Sequence, residues 1–370
     1  MTQAARIVVQ HEKDGPLEFV SVELPDPSPH QVMVKVLATG LCQSQIFWMH
    51  QPRSAPMLFG HEGYGVVTDV GSAVQGVRSG DMVLVTWVPR EDKNGRIPEI
   101  ATVALNKDHT ARSPNVYTWA DYCVADELYV RPIQGRQHDP LMSIIGCAVI
   151  TGAGSVISAA HAREGDSVAV FGVGGVGLSA VAAAKVMKAD RIVAVDLDPR
   201  KLELAKKFGA TDTVNSQEEN PAEAIMKMKP LRCGCHAGVD VAIDCVAIPQ
   251  VTQQVIASLR PGRLGIERGG RAVLVGIPKQ TLSIDPVDML MKEKTLLGAL
   301  GGSCRQEKID EFIDWYRDGW LDLAALVTDR FHFEDIPLGA QALEAGKIEG
   351  RAIALIHEAD DLPRSGSSTT

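Results

Sequence analysis

The sequence has 370 residues, of which 45% are hydrophobic and 22% charged, and its formal net charge at neutral pH is -9. A chain this long exceeds one ordinary core, so we expect two domains of roughly 150 to 200 residues each. The negative charge disfavours nonspecific binding to nucleic acid or to an anionic membrane. The expected partner is therefore a small molecule.

The N-terminus, MTQAARIVVQHEKDG, lacks the cationic and apolar regions of a secretory signal. We read the apolar runs as interrupted by glycine or charge well short of a membrane span, and we expect a cytoplasmic protein. The seven cysteines are an odd number and widely scattered. This pattern disfavours disulfides and favours roles as metal ligands or core residues.

The first predicted region, from Ala4 to about Val88, is rich in β-strands. Runs such as ARIVVQ and QVMVKVLATG alternate with turns rich in proline and glycine, such as LPDPSPHQ. The segment from Pro89 to about Thr118 is polar and lacks clear periodicity. We predict a long surface loop or lobe there.

From Ser167 the pattern changes to strand, glycine turn, helix and strand, in SVAVFGVGGVG, LSAVAAAKVMKAD and RIVAVD. Near-continuous apolar strands that alternate with helices are typical of a parallel, doubly wound sheet. After about Thr295, QEKIDEFIDWYRDG predicts a helix, and RAIALIHEA predicts a last strand that returns to the first domain. The tail DDLPRSGSSTT is predicted to be disordered.

The stretch GVGGVG matches the G-x-G-x-x-G pattern of dinucleotide-binding turns. It follows an apolar strand and opens an alanine-rich helix, and a carboxylate ends the next strand about twenty residues later. Asp196 would bind the adenosine ribose hydroxyls and repel a 2′-phosphate, which favours NAD over NADP, although Arg200 and Lys201 would weaken that preference. A glycine-rich turn without a ligand is the alternative. The predicted cofactor-binding residues of this motif are Gly172, Gly174, Gly175, Val176, Gly177 and Asp196.

A second motif, FGHEGYG, places the imidazole of His61 beside the carboxylate of Glu62 in an apolar run. Burying such groups without partners is costly, so they form either a hydrogen-bonded pair or part of a metal site. Cys42 and Cys147, each consistent by itself with a core position, complete a set of two thiolates and one imidazole. That set suits Zn²⁺ and leaves one coordination position open, as in catalytic zinc sites.

These residues resemble the zinc-containing medium-chain alcohol dehydrogenase family. The family spacing G-H-E-x2-G-x5-G-x2-V is reproduced, and the resemblance continues through GLCQS, GCAVITG, GVGGVG, VAVD, GGRAVLVG and GKIEGRAIALI. It implies a GroES-like, β-rich catalytic domain and a Rossmann domain with a doubly wound parallel sheet, an α/β fold overall. The expected catalytic domain spans residues 1–155 and 301–360, the NAD-binding domain residues 156–300, and the disordered tail residues 361–370.

The resemblance also implies individual roles. Cys42, His61 and Cys147 resemble the zinc ligands, and Glu62 resembles a nearby carboxylate that can ligate when water is absent. Ser44 resembles the hydroxyl that takes the alcohol proton, which with Glu62 gives the predicted catalytic residues. The other predicted cofactor-binding residues are Thr151, Ile277, Lys201 and Arg351, of which Thr151 is expected beside the nicotinamide with Val176, Lys201 at the ribose and Arg351 near the pyrophosphate.

The chain also departs from the family pattern. The segment from Pro89 to Thr118 lacks the four cysteines that hold a structural zinc in many members, so we expect one zinc per subunit. Cys233, Cys235 and His236 are interpreted as a surface loop rather than a second metal site. Gln45 and Phe47 replace an acidic residue and a histidine around the first ligand, and Gln43 replaces a cation.

The predicted activity is hydride transfer between an alcohol, or its aldehyde or ketone, and NAD. The resemblance also implies a homodimer or homotetramer. Alternatives are a polyol, formaldehyde or other specialised dehydrogenase, a zinc-free enoyl reductase, and a non-catalytic NAD-binding protein that keeps the fold. Four residues indicate either an apolar substrate pocket or ordinary core packing: Phe47, Trp48, Met57 and Trp87.

Overall fold

The computed structural model describes residues 2–134, 138–229 and 237–357. Its strands are, in chain order, β1 (Gln3–Gln10), β2 (Leu17–Leu24), β3 (Gln31–Leu41), β4 (Met57–Leu58), β5 (Glu62–Val70), β6 (Met82–Thr86), β7 (Thr102–Ala104), β8 (Thr110–Arg112), β9 (Tyr122–Asp126), β10 (Val130–Pro132), β11 (Ser167–Phe171), β12 (Arg191–Asp196), β13 (Asp212–Asn215), β14 (Val241–Asp244), β15 (Arg271–Leu274), β16 (Thr295–Gly298), β17 (Val327–His332) and β18 (Arg351–Leu355). The α-helices are α1 (Gln43–Met49), α2 (Ile150–Gly154), α3 (Gly175–Val186), α4 (Pro199–Phe208), α5 (Pro221–Lys227), α6 (Pro249–Ala257), α7 (Pro286–Met291), α8 (Ile309–Arg317), α9 (Leu323–Leu326) and α10 (Ile336–Glu344).

The chain divides into two compact units. The first unit comprises Met1–Cys147, Arg305–Ile313 and Leu323–Thr370, and the second comprises Ala148–Cys304 and Asp314–Asp322. The first border lies before the expected position at residue 155, because α2 packs directly on α3 of the second unit: a Cβ at Gly152 would lie 2.1 Å from the Val176 carbonyl oxygen. No motif in the sequence predicts this close helix contact.

The first unit is built from two sheets. One has the strand order β2-β1-β4-β8-β7, and the other has the order β10-β6-β5-β3-β18-β17, with β9 also paired to β3. The central strand β3 is buried along almost its whole length, as its apolar run predicts. The last strand, β18, pairs antiparallel with β3, so the end of the chain completes the sheet that begins near its start.

The polar segment after Pro89 is more ordered than the sequence indicated. It contains β7 and β8, which pair antiparallel, and β8 also pairs with β4. Each of these two strands has three residues, too few for a periodic pattern to show. Of the two predicted possibilities, a long surface loop or a lobe, the hairpin therefore favours the lobe.

This segment is anchored by ion pairs. Arg96 binds the buried carboxylate of Asp126 through both terminal nitrogens, at 2.5 and 3.0 Å. Asp126 also accepts the backbone N–H of Glu99 at 2.9 Å, and Arg90 donates to Glu127 at 2.7 Å. Ion pairs between arginine and carboxylate groups thus hold the segment against the end of β9. The segment itself contains no cysteine that could bind a metal ion.

The second unit contains a six-stranded parallel sheet with the order β13-β12-β11-β14-β15-β16. This is the strand order of the Rossmann fold, which confirms the predicted fold class. The order reverses at β11, whose neighbours are β12 and β14. In such sheets the crevice for a dinucleotide lies at the carboxyl ends of the strands around this point.

The helical segment Pro140–Ala159 has the length and composition of a membrane span, and 83% of its most apolar window is buried inside the protein. The stretch contains no charged residue, and its apolar run is interrupted only by glycine, serine and threonine. Its burial is that of a core helix in a globular protein. The predictions for Cys233, Cys235, His236 and the tail 361–370 lie outside the described residues.

Candidate metal centre and cofactor turn

The metal-ligating candidates are positioned by adjacent strands of the first unit. Cys42 follows the last residue of β3 and caps α1, and His61 directly precedes β5. Because β3 and β5 pair antiparallel, with Thr39 opposite Gly63, the end of one strand meets the start of the other. Gly60 has a φ of +85°, a left-handed conformation that favours glycine, and it turns the chain into His61.

Cys147 reaches the same place from a different part of the chain. It lies in a single helical turn with π geometry, Ile145–Val149. The buried hydroxyl of Thr86, at the end of β6, donates a hydrogen bond of 2.5 Å to the carbonyl of Gly146. This contact fixes the turn beside the strands that carry the other two residues.

The side chains converge into one buried cluster. The ligand atoms of Cys42, His61, Glu62 and Cys147 all lie within 4.8 Å of one another. The two sulfur atoms are 3.7 Å apart, and His61 Nε2 lies 3.1 Å from the Cys147 sulfur. Two thiolates bound at ~2.3 Å to a tetrahedral zinc ion would lie about 3.8 Å apart, whereas a disulfide requires ~2.0 Å. The donor set and its spacing therefore fit zinc.

The electrostatics of the cluster favour a thiolate. The hydrogen bond from Cys147 lowers the pKa of Cys42 well below its ordinary value, and the positive charge of Arg351 acts in the same direction, while burial opposes both. Ser44 donates to the Cys42 sulfur at 3.1 Å and lies 3.5 Å from His61 Nε2. The structure thus places Ser44 beside the ligands.

Glu62 has a buried partner that was not predicted from the sequence. Arg351, at the start of β18, forms an ion pair with Glu62, and the side chains are 5% and 0% exposed. The sequence predicted Arg351 at the cofactor pyrophosphate, whereas its observed contact lies within the first unit. The missed signal is positional: an arginine begins a strand that pairs with β3, next to the strand that carries Glu62.

The four residues proposed to line an apolar substrate pocket have different surroundings. The ring of Trp87 lies 6.2 Å from that of His61, beside the cluster. Phe47 and Trp48 contact each other edge to face, and the residue Trp48 is 38% exposed. Met57 is buried in a core cluster with Leu41 and Phe59, so its role is core packing.

His50, at the C-terminal end of α1, bridges two carboxylates. Its Nδ1 lies 2.5 Å from Asp14 and its Nε2 lies 2.9 Å from Glu344. The hydrogen bond with Asp14 raises the pKa of the His50 imidazole, and Glu344 adds to this effect. Both ring nitrogens are engaged, so His50 links α1 to the end of α10.

We expect this bridge to make stability depend on pH. Because the pKa of His50 is raised in the folded state, its contribution is complete below about pH 6.5 and is lost as pH rises through the folded pKa. His50→Gln should therefore lower the melting temperature at pH 6 by at most about 2 °C, since the bridge is exposed, and by less at pH 9. Scanning calorimetry of both proteins at the two pH values measures this. An equal loss at pH 6 and pH 9 would contradict the ionic origin.

The glycine turn of the second unit leads directly into a helix, as its sequence pattern predicts. Helix α3 begins at Gly175, and Gly174 at its N-cap has no side chain to bond the first N–H groups. A Cβ at Gly177 would lie 2.0 Å from the carbonyl oxygen of Gly172, so only glycine fits this close packing. The unblocked helix N-terminus is a site for an anion.

Three of the other predicted cofactor residues also lie in this unit. Thr151 is in α2 and Val176 in the first turn of α3, and the two helices touch at Gly152. Ile277 follows β15 and is 40% exposed. Lys201 is half-buried in α4, close enough to Asp198 to lower the pKa of that carboxyl, after the larger effect of Arg200.

Asp196 ends β12 and accepts the backbone N–H of Val173 at 2.9 Å, which joins it to the glycine turn. Arg200, a cation that would attract a 2′-phosphate, is bound by both nitrogen arms to Asp198, at 3.2 and 2.8 Å. This second carboxylate, at the N-cap of α4, was not among the residues predicted from the sequence. It offsets the cation and strengthens the expected preference for NAD.

Accordingly, we expect wild-type kcat/KM for NAD to exceed that for NADP by ~10-fold or more. Asp196→Ala should narrow the ratio, and adding Asp198→Asn, which keeps a helix-capping side chain, should narrow it further by releasing Arg200. Glu203→Gln, an exposed change in the same helix, serves as the control. Initial rates with both cofactors give the ratios. Equal kcat/KM values for NAD and NADP in the wild type would show that the positive charges of Arg200 and Lys201 determine the cofactor preference.

The fold and the cluster define a zinc-binding, nucleotide-dependent dehydrogenase. Two family models match the chain: "Alcohol dehydrogenase GroES-like domain" over residues 28–135 and "Zinc-binding dehydrogenase" over residues 175–318. The chain belongs to the zinc-containing medium-chain alcohol dehydrogenase family, and it is an oxidoreductase of the alcohol dehydrogenase class. Its cofactors are zinc and NAD.

Individual relatives share nearly the whole length of the chain. S-(hydroxymethyl)glutathione dehydrogenase of Synechocystis sp. is 29% identical and is covered over 97% of its length by 93% of this chain. Alcohol dehydrogenase class-2 isozyme 2 of Oryctolagus cuniculus is also 29% identical, with 92% of this chain and 95% of the relative aligned. Benzyl alcohol dehydrogenase of Acinetobacter calcoaceticus has a similar crystal structure, with a TM-score of 0.83, 27% identity, and 96% and 100% coverage of the two chains.

Proposed function

We propose that this chain oxidises alcohols that carry an apolar, preferably aromatic, group and reduces the corresponding aldehydes or ketones. The observation that carries the proposal is the ring of Trp87, which lies 6.2 Å from the imidazole of His61. The aromatic pair Phe47 and Trp48 lies in α1, the same short helix as Ser44. A relative of similar structure acts on benzyl alcohol by its name, which agrees with an aromatic substrate.

The residues of the cluster and the cofactor have different chemical roles. Cys42, His61 and Cys147 would hold zinc, which supplies the positive charge that polarises an alcohol or carbonyl oxygen. NAD supplies the hydride acceptor. The Ser44 hydroxyl, which lies 3.1 Å from the Cys42 sulfur, would accept a hydrogen bond from the substrate alcohol. Burial of the ligands keeps water from competing with the substrate.

A substrate panel tests the proposal. With NAD, kcat/KM for benzyl alcohol should exceed that for ethanol by ~10-fold or more, since burying a ring contributes about 1.5–3 kcal/mol. Trp87→Ala should reduce this ratio, and Trp320→Ala, at a residue 56% exposed, should not. A higher kcat/KM for 2,3-butanediol or S-(hydroxymethyl)glutathione would establish the specialised alternatives instead. Absence of NADH formation with every substrate tested would favour a non-catalytic NAD-binding protein.

We also propose that the chain forms a homodimer, or a homotetramer built from such dimers. Among the described residues, β16 pairs only with β15 and is therefore an edge strand. Large apolar side chains that lie near it in sequence are 64–80% exposed: Val287, Leu290, Met291 and Leu300. An unprotected edge with such a surface favours pairing with a second chain. Light scattering that gives a monomer at micromolar concentration would overturn this proposal.

A further inference from the structure

Gln45 contacts His61, a member of the metal cluster, and Gly60, the residue before it. It lies in α1 and is 4% exposed. Its Oε1 accepts the backbone N–H of Gly60 at 2.7 Å, and its Nε2 lies 2.5 Å from Nδ1 of His61. In this arrangement the amide donates and His61 Nδ1 accepts. The other ring nitrogen, Nε2, faces the Cys147 sulfur at 3.1 Å.

This arrangement conflicts with metal binding. A neutral imidazole carries one N–H, so a ring that gives the lone pair of Nε2 to a metal carries its proton on Nδ1. That N–H would face the N–H₂ group of Gln45, donor against donor. Rotating the Gln45 amide by half a turn would direct its oxygen at His61. The N–H of Gly60 would then face the N–H₂ group, again donor against donor.

In the observed conformation Oε1 accepts from the Gly60 N–H and Nε2 faces His61, so the amide would have to move before its oxygen could also accept from His61. A buried donor left without an acceptor costs about 1–3 kcal/mol. A carboxylate of the same length has two oxygens and would accept from Gly60 and from His61 together. The amide at this position therefore opposes zinc binding, although the three ligands themselves fit the metal.

We propose that Gln45 is a positioning residue that weakens and labilises the zinc site through the tautomer of His61. The inference rests on the zinc centre of the proposed function. It predicts that a single exchange of amide for carboxylate converts an exchangeable zinc into a tightly held one. Partners of this kind, one bond away from a ligand, typically change metal affinity by about 10–100-fold.

The test uses the full-length protein stripped of metal, with zinc itself as the probe. Competition with a chromophoric chelator at one fixed pH gives the dissociation constant, and transfer of zinc to excess chelator gives its rate of release. Gln45→Glu should lower the dissociation constant ~10-fold or more and slow release in proportion. Gln43→Glu adds the same charge to an exposed position of the same helix and should change both by less than about 3-fold.

Circular dichroism of the metal-free proteins shows whether they are folded. If Gln45→Glu does not fold, Gln45→Asp is tested as the second carboxylate variant. Unchanged zinc affinity in a folded Gln45 carboxylate variant would overturn the inference. Equal tightening by Gln43→Glu would also overturn it, because charge alone would then explain the effect. A wild-type protein that binds no zinc at all would instead refute the zinc centre, and with it the proposed mechanism.

Discussion

Replacing Cys147 by serine should remove zinc and activity together. Cys147 supplies one of three ligands, and its sulfur lies 3.7 Å from that of Cys42. Loss of a ligand should cost more than the ~100-fold in affinity that a supporting residue can cost. We expect the wild type to hold about one zinc per subunit and Cys147→Ser to hold much less. Elemental analysis of protein loaded with zinc and freed of unbound metal by rapid gel filtration measures the metal content, and NADH absorbance measures the activity.

Cys123 provides the matched control. It is buried in β9, and burial raises the pKa of its thiol to about 12, so it is a core residue without a charged form at neutral pH. Cys123→Ser should leave the zinc content unchanged. If the two variants lost zinc alike, the ligand assignment would be wrong. Two zinc ions per wild-type subunit would reveal a site that neither the sequence nor the described residues indicate.

Replacing Arg351 by methionine should be the most destabilising of the changes considered. It leaves the carboxylate of Glu62, which is fully buried, without its cationic partner. Removing one member of a buried ion pair typically costs about 3–5 kcal/mol. Urea unfolding of the metal-stripped protein, followed by fluorescence and circular dichroism, should show a clearly lower midpoint than the wild type.

Two further variants separate the charge effect from loss of the side chain itself. Arg78→Met makes the same substitution in an ion pair whose arginine is 88% exposed, and it should cost less than about 1 kcal/mol. Adding Glu62→Gln to Arg351→Met removes the uncompensated charge and should recover much of the lost stability. A midpoint for Arg351→Met no lower than that for Arg78→Met would show that the pair is not energetically important.

Local patterns were sufficient to predict the two-part architecture. The apolar run of β3 and the alternation of strands and helices after Ser167 each follow from periodicity that a few neighbouring residues carry. The glycine turn was equally clear, since tight turns and a helix start need particular residues at fixed positions. Three-residue strands such as β7 and β8 carry no such signal, and the hairpin they form was missed.

The sequence by itself determined the chemistry of the site: two thiols, one imidazole and one carboxylate, with a hydroxyl two residues after the first cysteine. Only the tertiary structure decided which groups face them. Glu62 and Arg351 are separated by 289 positions, and they meet because β18 pairs with β3. The contact of Gln45 with His61 depends likewise on how α1 lies against the turn at Gly60. Hydrogen bonds act over about 3 Å in space, and distance along a chain does not report distance in space until the strands have paired.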